Sequence, residues 1–538
     1  MAPTNSQPVP APVKRAALLN TAVVAGGYFL SRVLGIIRDI IINAQFGTNA
    51  QMDAYQAAFA IPDFLYLVIM GGALGSAFIP VFSGFLDAEN HEDAWQLANG
   101  VLHVALVLMV LLAVLVAWQA DSLVWLIWRD FSQPIHDLTV QLLRLLLIQP
   151  LLLGIGGLAK AALESFERFS VPALGSNLYN VGQIFGALVL APFFGIYGLV
   201  IGVILGALLF VAVQIPSLVR QGYHYRLNLN LHTPGLPRIA WLIAPRLFGQ
   251  SAWQLGLVIS SGIVASIAIP GAVRANGIAY QLMLLPHGLL ALSLGTVIFP
   301  RMSRAYAAGD TATLRQEAIT AVRSVVFLTL PAAIVLWTLA VPIVRLLFER
   351  VNFTAASTML TAEALRNYAI GLAAFAAAEI IVRTFYAMQD TLTPVLAGIV
   401  TVWLNIVLAT AFLRGGYGIG GVGLAFSIAA ITEALALLLI LWLRWHTLDG
   451  LWGALARMGL ASALFGAALL GLRLLSAPWL SSLQAGDTYT WPWDFLPLAI
   501  WTGAVLVVCG ALYGGLAVLL RLPEAAALVG RIRRLIQR

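Results

Sequence analysis

The sequence is poor in charged residues and almost devoid of cysteine. Only 10% of its 538 residues are Asp, Glu, Lys or Arg, and 61% are hydrophobic, whereas a soluble domain carries about 25% charged residues. Long apolar runs recur along the chain, which indicates a polytopic membrane protein. The single cysteine, Cys509, excludes an intrachain disulfide and a cysteine-ligated metal cluster.

Several classes of chemistry lack the residues that they need. The seven histidines and the acids show no metal-ligand spacing, so we expect no metal site. Glycine clusters fall inside apolar runs rather than after soluble strands, which argues against phosphate loops and dinucleotide sites. We find no pattern of nucleophile and base, and predict no catalytic residue. The net charge of +7 is spread over short loops, so no nucleic-acid partner is expected.

Apolar length and helix breakers predict an all-α polytopic membrane protein with about fourteen transmembrane helices. The richer set of Arg and Lys in alternate loops predicts that both termini are cytoplasmic. The predicted spans are 16–44, 52–84, 92–119, 136–164, 171–192, 195–219, 237–269, 272–304, 313–348, 356–387, 391–412, 418–444, 453–475 and 495–520.

A repeat with an offset of about 220 residues divides the chain. The run LGSAFIP at 74–80 resembles LGTVIFP at 294–300, and two later pairs follow in the same order. An even number of spans separates the copies, which predicts two parallel lobes around a central site; chance similarity is the alternative. The predicted domains are a disordered cytoplasmic tail 1–14, an N-lobe 15–226, a C-lobe 227–446, two extra helices 447–522 and a basic cytoplasmic tail 523–538.

Charged residues inside the first apolar run predict a binding site. Arg32, Arg38 and Asp39 lie at membrane depth, where a charge costs on the order of 3 kcal/mol unless it meets a partner or a wet cavity. Arg32 and Asp39 are seven positions apart and share one helical face. We expect a cation site for an anionic substrate. An Arg–Asp pair that only joins helices, or a wet cytosolic helix end, are the alternatives.

Other ionisable residues lie inside later spans. Lys160 precedes Glu164 by about one turn, so this pair can be local. Arg246 follows a proline in the seventh span, and Glu433 in the twelfth has no basic residue near it in sequence. An acid in that position must be protonated, meet a distant cation or touch water. Glu433 is therefore a candidate for carrying a coupling proton.

Several motifs spaced along the chain resemble those of one known family. The run SRVLGIIRD at 31–39 resembles its first-helix signature, and RFSVPA at 168–173 with Asn180 resembles its entry to helix 5. Matches continue through PHG at 286–288, PRMS at 300–303 and FYAMQDT at 385–391. The chain resembles the MurJ/MviN family, the lipid II flippases of the multidrug/oligosaccharidyl-lipid/polysaccharide exporter superfamily.

The resemblance implies a transporter rather than an enzyme. It implies export of a lipid-linked peptidoglycan precursor, lipid II, across the bacterial cytoplasmic membrane by alternating access. Arg32 and Arg38 would bind the pyrophosphate-linked head group, Asp39 would orient them, and Asp53 would be the acid at the start of helix 2. Helices 13 and 14 would shelter the polyprenyl tail. We expect the protein to be a monomer in contact with membrane lipids and to bind no cofactor. Transport would be driven by the membrane potential or by a proton gradient.

Two positions depart from the family pattern. Tyr66 stands where the family usually carries an Arg, and Gln281 stands where it carries the Arg of an Asp–Arg pair. Lys160 and Arg246 are candidates to restore the positive charge, and Gln281 is retained as a candidate contact. The departures leave open a flippase or exporter for another polyprenyl-linked glycan or an amphiphilic drug. A non-transporting membrane scaffold is the third alternative.

Overall fold

The computed structural model of the protein describes residues 11–71, 77–482 and 495–525, without the side chains of 11–25, 28, 71, 242–250 and 477–482. Those residues form helices, turns and short loops with no strand among them, so the predicted all-α class is confirmed. The α-helices in chain order are α1 Ala11–Phe46, α2 Ala50–Tyr66, α3 Ile79–Asp87, α4 His91–Trp118, α5 Ala120–Ile127, α6 Gln133–Leu146, α7 Ile148–Ser165, α8 Ser170–Phe185, α9 Ala191–Phe194, α10 Ile196–Ala212, α11 Ile215–Arg220, α12 Leu236–Ala265, α13 Ala272–Pro286, α14 Ser293–Ala307, α15 Thr311–Thr338, α16 Ala340–Phe348, α17 Ala355–Ala387, α18 Leu392–Arg414, α19 Gly418–Trp445, α20 Leu451–Ser482 and α21 Phe495–Leu519.

Many of these helices are long and apolar enough to span a membrane. Within the described residues there are 11 such helices, counting neighbouring segments that run on as one. They correspond to eleven of the predicted spans. The other three, 16–44, 52–84 and 237–269, contain residues or side chains outside the described part. The polytopic membrane class is confirmed, and the number fourteen stays a prediction.

Both predicted tails lie largely outside the described residues. Residues 1–10 and 526–538 are not described. The helix α1 begins at Ala11, so residues 11–14 of the predicted disordered tail are helical instead. Pro12 is compatible with this start because proline lacks only an amide that the first turn leaves unpaired.

The helix bounds repeat along the chain with the offset found in the sequence. The helices α4 and α15 begin at positions 91 and 311 and end at positions 118 and 338, so one offset relates both ends. Two π-helical segments, Leu67–Gly71 and His287–Leu292, begin with that same offset. These matching positions support a repeat of structure as well as of sequence.

Side-chain caps fix the starts of α4 and α15 in the same way. Asn90 Oδ1 accepts a hydrogen bond from the backbone N–H of Asp93 at 3.2 Å. Asp310 Oδ1 accepts one from the backbone N–H of Thr313 at 2.9 Å. Each cap satisfies an amide that the first helical turn leaves without a partner. The two capping residues are themselves related by the repeat offset.

Contacts divide the chain into two compact units. Two short segments from the first half of the sequence belong to the second unit. The predicted domain boundaries at 226 and 446 stay predictions. The first unit is Met1–Gln45, Ala57–Leu126 and Ser132–Ser251, and the second is Phe46–Gln56, Ile127–Phe131 and Ala252–Arg538.

Within the first unit, α8 and α10 pack backbone to backbone because glycines face each other. A Cβ added at Gly182 would lie 2.3 Å from the Cα of Gly206, and one added at Gly186, directly after the end of α8, would lie 2.5 Å from the Cα of Gly202. Small residues allow such close approach, which supplies van der Waals packing where lipid offers no hydrophobic driving force. This packing holds the helix that carries Asn180.

Within the second unit, α20 and α21 pack against α15. Their shared core includes Phe327, Phe465 and Tyr513, and the Tyr513 hydroxyl donates to the backbone carbonyl of Phe327 at 3.0 Å. The hydrogen bond satisfies a hydroxyl that would be costly to bury alone. The predicted role of 447–522 as a groove for a lipid tail stays a prediction.

Candidate substrate-binding site

The charges of α1 converge in the first unit. The Arg38 guanidinium donates to Asp39 Oδ1 from Nε at 3.0 Å and from Nη2 at 2.9 Å. Its Nη1 donates to Asn180 Oδ1 on α8 at 3.1 Å. The Asp39 residue is buried and the Arg38 side chain is 19% exposed. Arg38 is therefore a positioned cation on a partly buried surface, where a planar guanidinium suits a phosphate group.

Asn180 connects the start and the end of the α1 signature. Its Nδ2 contacts the backbone oxygen of Ser31 at 3.2 Å and the hydroxyl of Ser31 at 3.3 Å, while its Oδ1 accepts from Arg38. The Asn180 side-chain amide thus fixes both the axial position and the rotation of α1 relative to α8. The sequence singles out Asn180 as a motif residue but not as a site residue.

Arg32 is placed differently from Arg38. Its side chain is exposed, and within the described part of the chain it makes no hydrogen bond or ion pair. The predicted shared face of Arg32 and Asp39 does not bring them together, because Asp39 pairs with Arg38 instead. Arg32 as a head-group cation stays a prediction.

A second polar group lies beside this pair. Gln149 Nε2 on α7 donates to Asp63 Oδ1 at 3.3 Å and to the Tyr179 hydroxyl at 3.2 Å. Arg38 lies close enough to Asp63 to attract its carboxylate. Asp63 is on α2 and Tyr179 is on α8, next to Asn180, so four helices of the first unit contribute to one polar cluster. Asp63 was not predicted from the sequence, although an acidic residue directly after Pro62 in an apolar run is a signal for a polar site.

The Asp53 carboxylate accepts hydrogen bonds from backbone amides of the second unit. Its Oδ2 accepts from the Gly271 N–H at 2.6 Å and its Oδ1 accepts from the Arg274 N–H at 2.8 Å. Both amides lie at the start of α13, where a carboxylate is favoured by the free N–H groups and the helix dipole. This geometry supports an architectural role, and head-group binding by Asp53 stays a prediction.

The surroundings of Asp53 are tightly packed. The Arg274 side chain reaches back to α2 and donates to Gln56 Oε1 at 2.8 Å. Gly271 has a φ of +87°, and a Cβ there would lie 2.4 Å from the backbone carbon of Thr48. Only glycine meets both demands. The segment Phe46–Gln56 is thus an integral part of the second unit.

The second short segment, Ile127–Phe131, is also tightly packed within the second unit. Trp128 is fully buried, and its Nε1 donates to the Ser261 hydroxyl at 3.1 Å. A Cβ at Gly262 would lie 2.1 Å from the backbone oxygen of Ile127. The segment Ile127–Phe131 therefore depends on α12 for its position.

The remaining predicted site residues are not gathered into one cluster. Lys160 Nζ lies 3.8 Å from Glu164 Oε1, the local pair that the sequence left open. Gln281 is exposed, and Glu433 is partly buried, with Thr401 in hydrogen-bonding range. The side chain of Arg246 lies outside the described residues. Their functional roles stay predictions.

Of the two positions that depart from the family pattern, Tyr66 is built into apolar packing, and so is Tyr280, the residue before Gln281. Tyr66 is partly buried and packs against a core that includes Met70. Tyr280, next to Gln281, makes edge contacts with Tyr368 and Phe426 at centroid distances of 5.6 and 5.8 Å. Neither tyrosine supplies a positive charge.

Comparison with known proteins decides the family. The family model described as lipid II flippase MurJ matches residues 42–485. A Vibrio cholerae protein named probable lipid II flippase MurJ is 31% identical over 483 residues, which are 87% of this chain and 91% of that protein. The chain belongs to the lipid II flippase MurJ family. A Burkholderia cenocepacia protein named lipid II flippase MurJ is also 31% identical, over 78% of this chain and 82% of its own length.

Solved structures share the same fold. That of lipid II flippase MurJ in an inward closed conformation superposes with a TM-score of 0.73 at 24% identity, covering 91% of this chain and 98% of that chain. An inward-facing multidrug resistance MATE family transporter gives 0.66 at 14% identity, with 80% and 98% covered. At these identities the likeness concerns the fold alone. Together with the family, it makes this chain a multi-pass membrane protein of a transporter family.

Proposed function

We propose that this protein is a lipid II flippase that moves the head group across the cytoplasmic membrane by alternating access. The family match over residues 42–485 is the observation that carries the proposal. The curated relatives that bear this function align along most of their own length. The match therefore concerns the whole transporter fold rather than a shared fragment.

The chemistry of the first unit supports an anionic substrate. A lipid-linked diphosphate needs cationic donors in a place of low dielectric, where each charge-assisted hydrogen bond is strong. Arg38 is such a donor, held by Asp39 and Asn180 at 2.9 and 3.1 Å. We assign it to the pyrophosphate of the head group, with Asp39 and Asn180 as positioning residues and Arg32 as a second cation.

The remaining features of the proposal follow from topology and from chemistry. Both termini lie in the cytoplasm, and the protein works as a monomer in contact with membrane lipids. Transport is driven by the membrane potential or a proton gradient rather than by a bound cofactor. Glu433 is one candidate acid for such coupling, because it is partly buried in α19 and within electrostatic reach of the carboxylate of Glu379.

Two assays test the function. Expression of the chain in cells depleted of their own lipid II flippase should restore wall synthesis and prevent lipid II from accumulating. Purified protein in liposomes should move fluorescent lipid II between leaflets. Arg38→Ala should abolish both activities, whereas a matched exposed substitution, Arg129→Ala, should leave them unchanged. Normal wall synthesis without lipid II movement in liposomes would contradict the proposal.

A related head group is the second candidate. It is favoured by Tyr66, which packs into the core of the first unit where the family usually has a cation. A flippase with fewer cations is suited to a head group with less negative charge. Competition between lipid II and other polyprenyl-linked glycans for the purified protein separates the two candidates, since the true substrate binds more tightly.

A further inference from the structure

The carboxyl of Asp63 is a titratable group at the centre of the polar cluster in the first unit. Resting on the proposed function, we propose that Asp63 takes up a proton when the first unit binds the anionic lipid head group. Substrate binding and protonation of this side chain are then coupled.

The neighbours of Asp63 are mostly neutral. Its direct hydrogen-bond partner is the amide of Gln149 at 3.3 Å, which also contacts the Tyr179 hydroxyl. The phenol of Tyr66, one turn further along α2, lies within electrostatic reach of the same carboxyl. Among the described residues no Lys or Arg nitrogen lies within ion-pair distance of Asp63. No directly bonded cation holds this carboxyl in its ionised form, so a change in the local charge decides whether it binds a proton.

The charge of the cluster opposes an anionic ligand while Asp63 is ionised. Arg38 supplies one positive charge, and Asp39 and Asp63 supply two negative charges. Asp39 already neutralises Arg38 at 2.9 Å. Within this cluster, which does not include Arg32, a diphosphate that approaches Arg38 therefore meets a net negative charge. Protonation of Asp63 removes that charge and leaves the guanidinium in place, so the protonated cluster binds an anion more tightly.

The surroundings can also accommodate the proton. A neutral carboxyl has an O–H that needs an acceptor. Gln149 is 1% exposed, and its Oε1 is a buried oxygen that accepts no hydrogen bond within the described chain. Rotation of this amide by half a turn would present the oxygen to Asp63, and amide orientations adapt to the hydrogen-bond network. The same glutamine thus serves both states of the carboxyl.

The ionisable and polar groups of every helix packed around Asp63 are consistent with this assignment. On α1, Arg38 and Asp39 are paired with each other. The phenols on α2 and α8 are neutral near pH 7, and α7 contributes an amide. Asp63 is the carboxyl of this cluster that is not bound to a guanidinium.

Binding of lipid II to the purified full chain, measured between about pH 6 and pH 9, tests the coupling. If one proton is taken up, the affinity of the wild type falls by up to about tenfold per pH unit. Asp63→Asn is isosteric and uncharged, so its affinity should be flat across the range and should match the wild type at its tightest. Asp87→Asn, on the exposed end of α3 in the same unit, should follow the wild-type curve.

Several outcomes would overturn the proposal. A wild type that binds lipid II equally at every pH, or an Asp63→Asn variant that keeps the wild-type slope or binds weakly throughout, contradicts the coupling alone. A wild type that binds no lipid II at any pH contradicts the proposed function itself. If Asp63→Asn does not fold, calorimetry of the wild type in two buffers of different ionisation enthalpy still decides: binding without proton uptake rejects the coupling.

Discussion

The two sequence copies share their helix bounds but not their charges. Shifting the polar positions of the first unit by the repeat offset leads to apolar side chains in the second copy. Both copies keep the π-helical segment and the capped long helix. The scaffold is therefore duplicated, whereas the candidate site was built on one copy only. The residues in question are Arg38, Asp39, Asp63 and Gln149, opposite Val258, Ile259, Met283 and Ala369.

The second unit places its charges elsewhere. Glu379 and Arg383 form an ion pair at 2.8 Å on α17, and the equivalent positions of the first copy are Ala159 and Leu163. Its buried carboxylate at Asp53 caps a helix rather than facing a cluster of side chains. The comparison teaches that apolar packing is what a repeat preserves, while each half can acquire its own polar chemistry.

Replacing Arg38, the principal cation of the first copy, with the valine found at the equivalent position of the second copy should have the largest effect. In Arg38→Val the charge-assisted contacts to the head group disappear, and we expect lipid II binding to weaken about 100-fold, since hydrogen bonds to charged groups contribute roughly 1.5–3 kcal/mol each. Binding isotherms with purified protein measure this. Arg38→Lys should recover part of the affinity; unchanged binding in Arg38→Val would place the cation site elsewhere.

Removing the Asp53 carboxylate from the second unit should lower the stability of the protein instead. Asp53→Ala leaves two backbone amides at the start of α13 without acceptors, and we expect a loss of about 2 kcal/mol in unfolding free energy. Thermal unfolding in detergent measures the loss. Asp53→Asn keeps one acceptor and should lose less. Equal stability of all three proteins would show that the cap is dispensable.

Asn180 tests the positioning of Arg38 separately from its charge. Aligning the prolines near the starts of α8 and α18 pairs Asn180 with Val402 of the second copy. In Asn180→Val, Arg38 keeps Asp39 but loses its contact to α8, so we expect about tenfold weaker lipid II binding, worth roughly one hydrogen bond. An affinity that falls as far as in Arg38→Val would instead indicate that Asn180 touches the substrate.

The two matched caps should give the smallest effect and a difference in pH dependence. The hydroxyl and backbone N–H of Thr313 hold the pKa of Asp310 below its usual value. A lowered pKa stabilises the folded state above the unfolded-state pKa, and this contribution is lost as the pH falls through the folded-state pKa. The destabilisation by Asp310→Ala, measured as a shift in melting temperature, should therefore shrink in acid.

Asn90→Ala is the counterpart in the first copy. The amide of Asn90 does not titrate, so its loss should change less with pH than that of Asp310. Parallel curves for both variants would contradict the assignment of the pH effect to the Asp310 carboxylate.

The sequence predicts the features that depend on local pattern. Apolar length identifies the helices, recurring motifs identify the repeat, and membrane depth identifies Arg38 and Asp39. The structure adds what requires distant segments to meet. Asp63, Gln149 and Tyr179 come from three helices, so no spacing in the sequence joins them.

Other expectations were limited for the same reason. A period of seven predicts that Arg32 and Asp39 share a face, but a neighbour one residue away, Arg38, reaches the carboxylate first because its long side chain can fold back. The cap made by Asp53 could not be predicted from the sequence because its partner Gly271 lies 218 positions away.

That separation has a consequence for synthesis. At a translation rate of ~5–20 residues per second, roughly 10 to 40 s pass between the appearance of Asp53 and that of Gly271. During this interval the start of α2 carries a carboxylate whose amide donors do not yet exist. The first spans are therefore inserted before the hydrogen bonds to Asp53 can form. A ribosome that stalls before α13 leaves a fragment in which the Asp53 carboxylate lacks these two amide donors.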